Sequence, residues 1–123
     1  MARILVIDDN DDFRKVIREV LEKEGYEVVE AGDGDEGISL FKEKPADLVI
    51  TDLIMPGKEG IQTMVELRRD FPDVKVIAVS GGGFEGPRTY LEGAELIGGA
   101  LRTFIKPFPP EELLKAIKEL LGE

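Results

Sequence analysis

The sequence predicts an α/β fold in which a five-stranded parallel sheet lies between two layers of helices. Short apolar runs alternate with helical patterns along the chain, an order typical of doubly wound folds with right-handed crossovers. The central runs are continuous and rich in β-branched residues, which suits strands covered on both faces. The chain has 123 residues, 42% of them hydrophobic, which is enough for one core. We therefore expect one domain, residues 1–123, built from five strand–helix units.

The predicted strands divide into a central and an outer group. Three runs are wholly apolar and are expected in the middle of the sheet: Ile4–Ile7, Leu48–Ile50 and Val76–Val79. The run Glu27–Ala31 is more mixed, and Thr103–Ile105 is very short. Because edge strands face more water than central ones, we expect these two at the edges of the sheet.

The helices are predicted from apolar residues spaced three and four positions apart, which form one apolar stripe. The first stripe consists of Phe13, Val16, Ile17, Val20 and Leu21. The last follows Pro110 and two acidic residues that favour a helix start, and it consists of Leu113, Leu114, Ile117, Leu120 and Leu121. Weaker patterns between them are Ile38/Phe41, Ile61/Met64/Val65 and Leu91/Ala94/Ile97. We expect stripe residues such as Phe13 and Ile117 to lie in the core.

Composition excludes several kinds of function. The sequence contains no cysteine and no histidine, so thiolate and imidazole nucleophiles and metal ligands are excluded. The 16 basic and 26 acidic side chains give a net charge of −10, which disfavours direct binding to nucleic acid or to an anionic membrane. The apolar runs are shorter than the ~20 residues that span a bilayer, and the N-terminus does not resemble a signal peptide. We therefore expect a cytoplasmic protein in which any metal is bound by oxygen.

Polar side chains follow four of the five predicted strands. Asp8 and Asp9 follow the first, Asp52 the third, Ser80 the fourth and Lys106 the fifth. In open α/β sheets the functional crevice lies at the carboxyl ends of the strands, so these groups are expected to face one point. Any one aspartate or serine could instead cap the following helix, but Lys106 cannot cap a helix N-terminus. Together the residues predict a single site.

The charges at this predicted site favour magnesium and phosphoryl chemistry. Asp8, Asp9 and Asp52 contribute three negative charges, and like charges this close disfavour joint ionisation. A divalent cation and Lys106 would balance them, and an open carboxylate site is typical of Mg²⁺, with Mn²⁺ as a second possibility. A carboxylate beside such an ion can attack phosphorus and form an aspartyl phosphate. Lys106 and Ser80 would then bind oxygens of the transferred group.

Four motifs together resemble the receiver domains of two-component response regulators. They are Asp8-Asp9, the segment from Thr51 to Gly57 (TDLIMPG), Ser80, and Lys106-Pro107-Phe108. The resemblance covers essentially the whole chain, with the motifs in the family's order. It implies a flavodoxin-like (βα)5 sandwich with strand order 2-1-3-4-5.

The resemblance also implies a role for each site residue. Asp52 would be the phosphoacceptor and, with Asp9, a direct magnesium ligand. Asp8 would bind the metal mainly through water, and the Ile54 carbonyl would complete the protein's ligands. Ser80 and Lys106 would hold the phosphoryl oxygens, and the Lys106–Pro107 bond would be cis.

The same resemblance implies a signalling domain that catalyses only its own phosphorylation and dephosphorylation, and is otherwise not an enzyme. The expected upstream partner is a sensor histidine kinase or a phosphotransfer protein. The expected downstream partner is an output domain or an effector protein. The chain cannot itself be the phosphohistidine donor, because it contains no histidine.

The sequence departs from the family pattern at the switch. Receivers usually have an aromatic residue three positions before the lysine, where this chain has Thr103. Phe104 should point to the opposite face of its strand. The segment after the fourth strand is longer than usual, so we hypothesise that phosphorylation orders residues Gly81 to Pro87 and docks Phe84 at the missing aromatic position. Permanent packing of Phe84 on the fourth helix is equally compatible with the sequence.

Two other classes of protein fit the sequence less well. A haloacid-dehalogenase-type phosphohydrolase would use Asp9-Asn10-Asp11 as its D-x-D motif and Asp9 as its nucleophile, but it leaves the Lys106-Pro107-Phe108 motif unexplained. A pseudo-receiver that binds partners without phosphorylation is not favoured, because the acidic pocket is complete. A glycine-rich G-x-G-x-x-G match at residues 32–37 includes three acidic residues, which would repel a pyrophosphate.

Overall fold

A computed structural model describes residues 2–53, 60–81 and 99–123 of the chain. The described strands are β1 (Arg3–Ile7), β2 (Glu27–Ala31), β3 (Leu48–Asp52), β4 (Val76–Ser80) and β5 (Arg102–Ile105). The described helices are α1 (Asp11–Lys23), α2 (Gly34–Glu43), α3 (Gly60–Asp70) and α4 (Pro110–Leu121). The pattern at Leu91/Ala94/Ile97, the Ile54 carbonyl and Phe84 lie outside the described residues.

The strands form one parallel sheet in the order β2-β1-β3-β4-β5, which confirms the predicted topology and both predicted edge strands. Ile7 pairs with Thr51, Asp52 with Val79, and Ser80 with Ile105. These register pairs bring the carboxyl ends of β1, β3, β4 and β5 to one edge of the sheet. The predicted site residues begin at that edge.

The core has two layers because successive side chains of each strand alternate between the faces of the sheet. On one face α1 and α4 cover residues that include Ile4, Val6, Ile50 and Ile77. On the other face α2 and α3 cover residues that include Leu5, Ile7, Val49 and Ala78. All residues of β1, β3 and β4 are buried, and these include the three apolar runs that predicted strands covered on both faces.

Among the residues that the structure describes, two members of the apolar stripes are exposed. Val16 of α1 is 52% exposed and Val65 of α3 is 42% exposed, so their predicted burial is wrong. In both helices, the face that contacts the sheet is narrower than the apolar stripe seen in the sequence. Val16 and Val65 belong to the stripe but lie outside the contacting face. Ile117 is fully buried as expected, whereas Phe13 is only partly buried.

Local side-chain bonds fix the starts of α1 and α2. The Asn10 side chain accepts from the Phe13 N–H, and the Asp33 side chain accepts from the Glu36 N–H. The glycine-rich match at residues 32–37 is therefore a capped helix start. Gly37 packs so closely on β1 that a Cβ there would lie 2.4 Å from the Ile7 side chain. In the described ranges, no helix has the length and apolar character needed to cross a membrane.

Candidate functional site

Three carboxylates meet at the carboxyl end of the sheet. Asp8 follows β1 and is 1% exposed, Asp52 ends β3 and is 6% exposed, and Asp9 is exposed. One oxygen from each lies within 4.8 Å of the other two. The structure therefore brings together the three aspartates that the sequence predicted as one cluster.

The buried Asp8 carboxylate is held from two sides. Its Oδ1 atom accepts from the Asn10 N–H at 2.9 Å, and its Oδ2 atom accepts from Lys106 Nζ at 2.7 Å. The main-chain N–H of Asp8 donates to the Ala31 carbonyl on the neighbouring strand. These contacts fix both the carboxylate and the chain at the point where β1 ends.

Lys106 reaches the cluster from the end of β5. Its Nζ atom lies 3.9 Å from Asp52 Oδ1 and 4.0 Å from the centroid of the Phe13 ring. The ammonium group therefore has a carboxylate on one side and an aromatic face on the other, a favourable cation–π arrangement. From the sequence, Phe13 is expected only in the core. Its place as the third residue of α1, soon after the Asp8-Asp9 motif, is the signal that could have indicated a contact with the site.

Asp52 is a buried acid whose ionisation is less favourable than usual. Burial, followed by the charge of Asp8, raises the pKa of Asp52 to about 6, against the opposing effects of Lys106 and the Leu53 N–H. That N–H donates to Asp52 Oδ1 at 3.0 Å. A cation placed among these carboxylates would restore the charged form of Asp52 at lower pH.

Ser80 is buried at the end of β4, the strand next to that of Asp52. Its carbonyl accepts from the Lys106 N–H at 2.9 Å, so the main chains of the two predicted phosphoryl-binding residues are directly joined. Gly81 follows, and a Cβ at this position would lie 3.4 Å from Lys106 Cδ. The lysine stem therefore passes Gly81 at an ordinary van der Waals distance on its way to the cluster.

Gly60 is a site residue that the sequence did not single out. It begins α3, and a Cβ there would lie 2.2 Å from the Asp52 carbonyl oxygen and 2.7 Å from Leu53 Cα. Its N–H donates to the Leu53 carbonyl at 3.1 Å. Only glycine allows α3 to start this close to the main chain of Asp52.

The aromatic residues near Lys106 lie on the α1/α4 face of the sheet. Phe104 packs on Phe108 with a centroid separation of 5.0 Å, and Phe108 packs edge-on to Phe13 at 6.1 Å. Phe104 is therefore on the face expected from strand alternation, and Thr103 pairs in register with Ala78. The Lys106–Pro107 peptide is cis, as the resemblance implied.

The second aspartate of the alternative D-x-D motif is not part of the cluster. Asp11 lies in the first turn of α1, its side chain is 85% exposed, and its carboxylate accepts from Arg14 Nη2. A phosphohydrolase of the haloacid dehalogenase type is therefore not supported.

The donor set fits a hard divalent cation. All three candidate ligands are carboxylates, two are buried, and the third is open to solvent. Such a site leaves positions for water and for a phosphoryl oxygen, the arrangement in which Mg²⁺ is usually bound.

A doubly wound sheet with an acidic cluster and a lysine at its carboxyl edge defines a receiver-type signalling fold. Residues 4–118 match the response regulator receiver domain family, and the chain belongs to it. It is 38% identical over 119 residues to the probable transcriptional regulator ycf27 of Porphyridium aerugineum, covering 97% of this chain and 48% of that protein. The chain spans about half the length of the first curated relatives that it matches.

Solved structures agree with this assignment. A response regulator receiver domain protein from Clostridium thermocellum superposes with a TM-score of 0.86 at 33% identity, covering 99% of this chain and 95% of that one. The response regulator TrrA from Thermotoga maritima, solved in complex with Mg²⁺–BeF, gives a TM-score of 0.83 at 33% identity, covering 98% and 100%. The chain is thus a receiver domain of two-component signal transduction, and its relatives are response regulators.

Proposed function

We propose that Asp52 is the residue that accepts a phosphoryl group, in a step that requires Mg²⁺ at the Asp8–Asp9–Asp52 cluster. The observation behind this proposal is the position of the Asp52 carboxylate, which is buried, next to two further carboxylates and 3.9 Å from Lys106. Asp9 would bind the metal directly, Asp8 mainly through water, and the Ile54 carbonyl would be a further ligand. TrrA, a response regulator of similar fold, was solved in complex with Mg²⁺–BeF, which supports the choice of magnesium as the metal.

In the proposed step a carboxylate oxygen of Asp52 attacks phosphorus and forms a P–O bond. The bond between phosphorus and the donor's imidazole nitrogen breaks, and the nitrogen keeps its electron pair. When bound, the metal would neutralise carboxylate charge and polarise the phosphoryl oxygens. Lys106 has its ammonium group beside Asp52 and would pair with a phosphoryl oxygen, and Ser80 would donate its hydroxyl to another.

The proposed upstream partner is a sensor histidine kinase or a phosphotransfer protein, because the donor must supply an imidazole that this chain lacks. The proposed downstream partner is an output domain or an effector protein, which is compatible with curated relatives about twice as long. We propose that this exchange takes place in the cytoplasm, with no direct contact to nucleic acid or membrane by the receiver itself. The domain would catalyse only its own phosphorylation and dephosphorylation.

Phosphoryl uptake from a small acyl phosphate tests the proposal. With acetyl phosphate and Mg²⁺, the intact mass of the wild-type domain should increase by one phosphoryl group, and the Asp52→Asn variant should show no increase. Asp47→Asn is a matched control, because Asp47 is an exposed aspartate at the other end of β3. Undiminished labelling of Asp52→Asn, or labelling of the wild type that does not depend on a divalent cation, would overturn the proposal.

A further inference from the structure

The Arg14 side chain connects the acidic cluster to β2. Arg14 lies in α1, its side chain is only 16% exposed, and its guanidinium donates in three directions. Nη1 donates to the main-chain carbonyl of Asp8, Nη2 to the Asp11 carboxylate, and Nε to Glu30 Oε1 at 3.2 Å. Next to this group is Gly32, where a Cβ would lie 3.7 Å from Nη1. A planar, five-donor guanidinium suits this arrangement, whereas an ammonium group cannot donate in the same fixed fork.

The carbonyl that Arg14 holds belongs to the peptide between Asp8 and Asp9. Rotation about either backbone bond that flanks this peptide would change the position of the Asp9 Cα–Cβ bond relative to that of Asp8, and so the spacing of two of the three carboxylates in the cluster. The preceding N–H, that of Asp8, is tied to the Ala31 carbonyl at 3.1 Å. The turn after β1 is therefore fixed by two hydrogen bonds of Asp8, one from its N–H to β2 and one from Arg14 to its carbonyl.

Glu30 holds Arg14 in place. Its Oε1 atom accepts from Arg14 Nε, and its Oε2 atom accepts from Arg18 Nη1 at 2.7 Å. These hydrogen bonds, that of Arg18 first, lower the pKa of Glu30, so it is charged at neutral pH. The carboxylate bridges two guanidinium groups that project from successive turns of α1, and it fixes the helix against β2 beside the cluster.

We propose that Arg14, held by Glu30, is a positioning residue for the acidic cluster, which strengthens magnesium binding by fixing the Asp8–Asp9 peptide without touching the metal. The inference rests on the proposed function, because it assumes that the cluster binds Mg²⁺. Outer contacts that orient metal ligands commonly contribute 10–100-fold to affinity. The guanidinium is a cation near a dication site, so a purely electrostatic effect would act in the opposite direction.

This difference in sign makes Arg14→Gln the decisive variant, whereas loss of the Glu30 charge would by itself also weaken cation binding. Mg²⁺ affinity is measured by NMR titration of backbone amides for wild type, Arg14→Lys, Arg14→Gln and Glu30→Gln. We expect about tenfold weaker binding in each variant. We also expect the double variant Arg14→Gln/Glu30→Gln to bind no more weakly than Arg14→Gln, because the two residues act through one contact. Lys15→Gln is the control, since it removes a positive charge from the neighbouring exposed position.

The possible results separate the two proposals. Tighter or unchanged binding in Arg14→Gln and Arg14→Lys would overturn the inference, as would a loss of affinity equally large in Lys15→Gln. Unchanged binding in Glu30→Gln would overturn the part assigned to Glu30. A wild-type domain that binds no Mg²⁺ would overturn the proposed function and this inference together, whereas wild-type binding with unaffected variants would overturn the inference alone. Amide spectra of the metal-free variants show whether each has folded, and Arg14→Lys gives a second variant if Arg14→Gln has not.

Discussion

The ammonium group of Lys106 donates to Asp8 Oδ2 at 2.7 Å, across a sheet in which β3 and β4 separate the strands of the two residues. The same group is 3.9 Å from Asp52 Oδ1. The lysine is therefore paired mainly with an aspartate other than the proposed acceptor, while it stays within reach of any group attached to Asp52. The ion pair also closes the carboxyl edge of the sheet by joining residues 98 positions apart in sequence.

Removal of the lysine charge should destabilise the metal-free domain. Lys106→Met keeps the apolar stem beside Gly81 but leaves the buried Asp8 carboxylate without its cation. We expect the free energy of unfolding at pH 7 to fall by roughly 1–3 kcal/mol, measured by urea denaturation. Lys42→Met is the matched control, because Lys42 pairs with Asp70 at 3.7 Å on the surface and should contribute less than about 1 kcal/mol. Equal losses in the two variants would contradict a structural role for the Lys106–Asp8 pair.

The raised pKa of Asp52 predicts a pH-dependent stability. The pKa of Asp52 is about 6 in the folded domain, and its ordinary value, taken for the unfolded chain, is 3.8. Between these two pH values the folded state therefore binds more protons than the unfolded state. The stability that the folded domain gains from holding this proton is therefore fully present below about pH 4, and it is lost as the pH rises through about 6. Without metal, Asp52→Asn should be more stable than wild type at pH 7, by on the order of 1–3 kcal/mol. The difference should diminish towards pH 4.

Denaturation of both proteins across this pH range measures the effect. Asp73→Asn is the control, because Asp73 is exposed in the turn before β4 and its replacement should give no such trend. A stability difference between wild type and Asp52→Asn that stays constant from pH 4 to pH 7 would contradict the assigned cause.

Gly60 should not tolerate a side chain. A Cβ there would lie 2.2 Å from the Asp52 carbonyl oxygen, so α3 or the end of β3 must shift. We expect Gly60→Ala to lower the free energy of unfolding by about 1–3 kcal/mol and to reduce acyl-phosphate labelling. Gly32→Ala is the control, since its Cβ would meet only Arg14 Nη1, at the ordinary distance of 3.7 Å. Equal stability of Gly60→Ala and wild type would show that the α3 start is not constrained in this way.

Magnesium should stabilise the domain by binding the folded state. At a concentration 100 times the dissociation constant the expected gain is about 2.7 kcal/mol, visible as a higher Tm. Asp9→Ala should abolish this gain, and Asp8→Ala should reduce it less. Asp12→Ala, at an exposed position in the first turn of α1, should respond to magnesium as wild type does. A wild-type response in Asp9→Ala would remove Asp9 from the ligand set.

Much of the fold could be predicted because the central strands are buried on both faces and leave continuous apolar runs. The cluster could be predicted because parallel strands end at one edge, so Asp8, Asp52 and Lys106 had to meet there. Exposure of Val16 and Val65 could not be predicted, because stripe width alone does not tell how a helix sits on the sheet.

Three contacts around the site were also missed for physical reasons. The close approach of Gly60 to Asp52 depends on where the start of α3 packs against the end of β3. The contact of Phe13 with Lys106 joins elements at opposite ends of the sequence. The Arg14–Glu30 pair is a charged pair in a chain where 34% of residues are charged, so nothing in the sequence marks it out.

Whether Asp52 accepts the phosphoryl group is shown by identifying the residue that becomes modified. The domain is labelled with acetyl phosphate and Mg²⁺, reduced with borohydride so that an aspartyl phosphate becomes homoserine, and sequenced by peptide mass spectrometry. We expect homoserine at position 52 and at no other aspartate. Homoserine at Asp9, or acetyl phosphate turnover without any modification at Asp52, would show that Asp52 is not the acceptor.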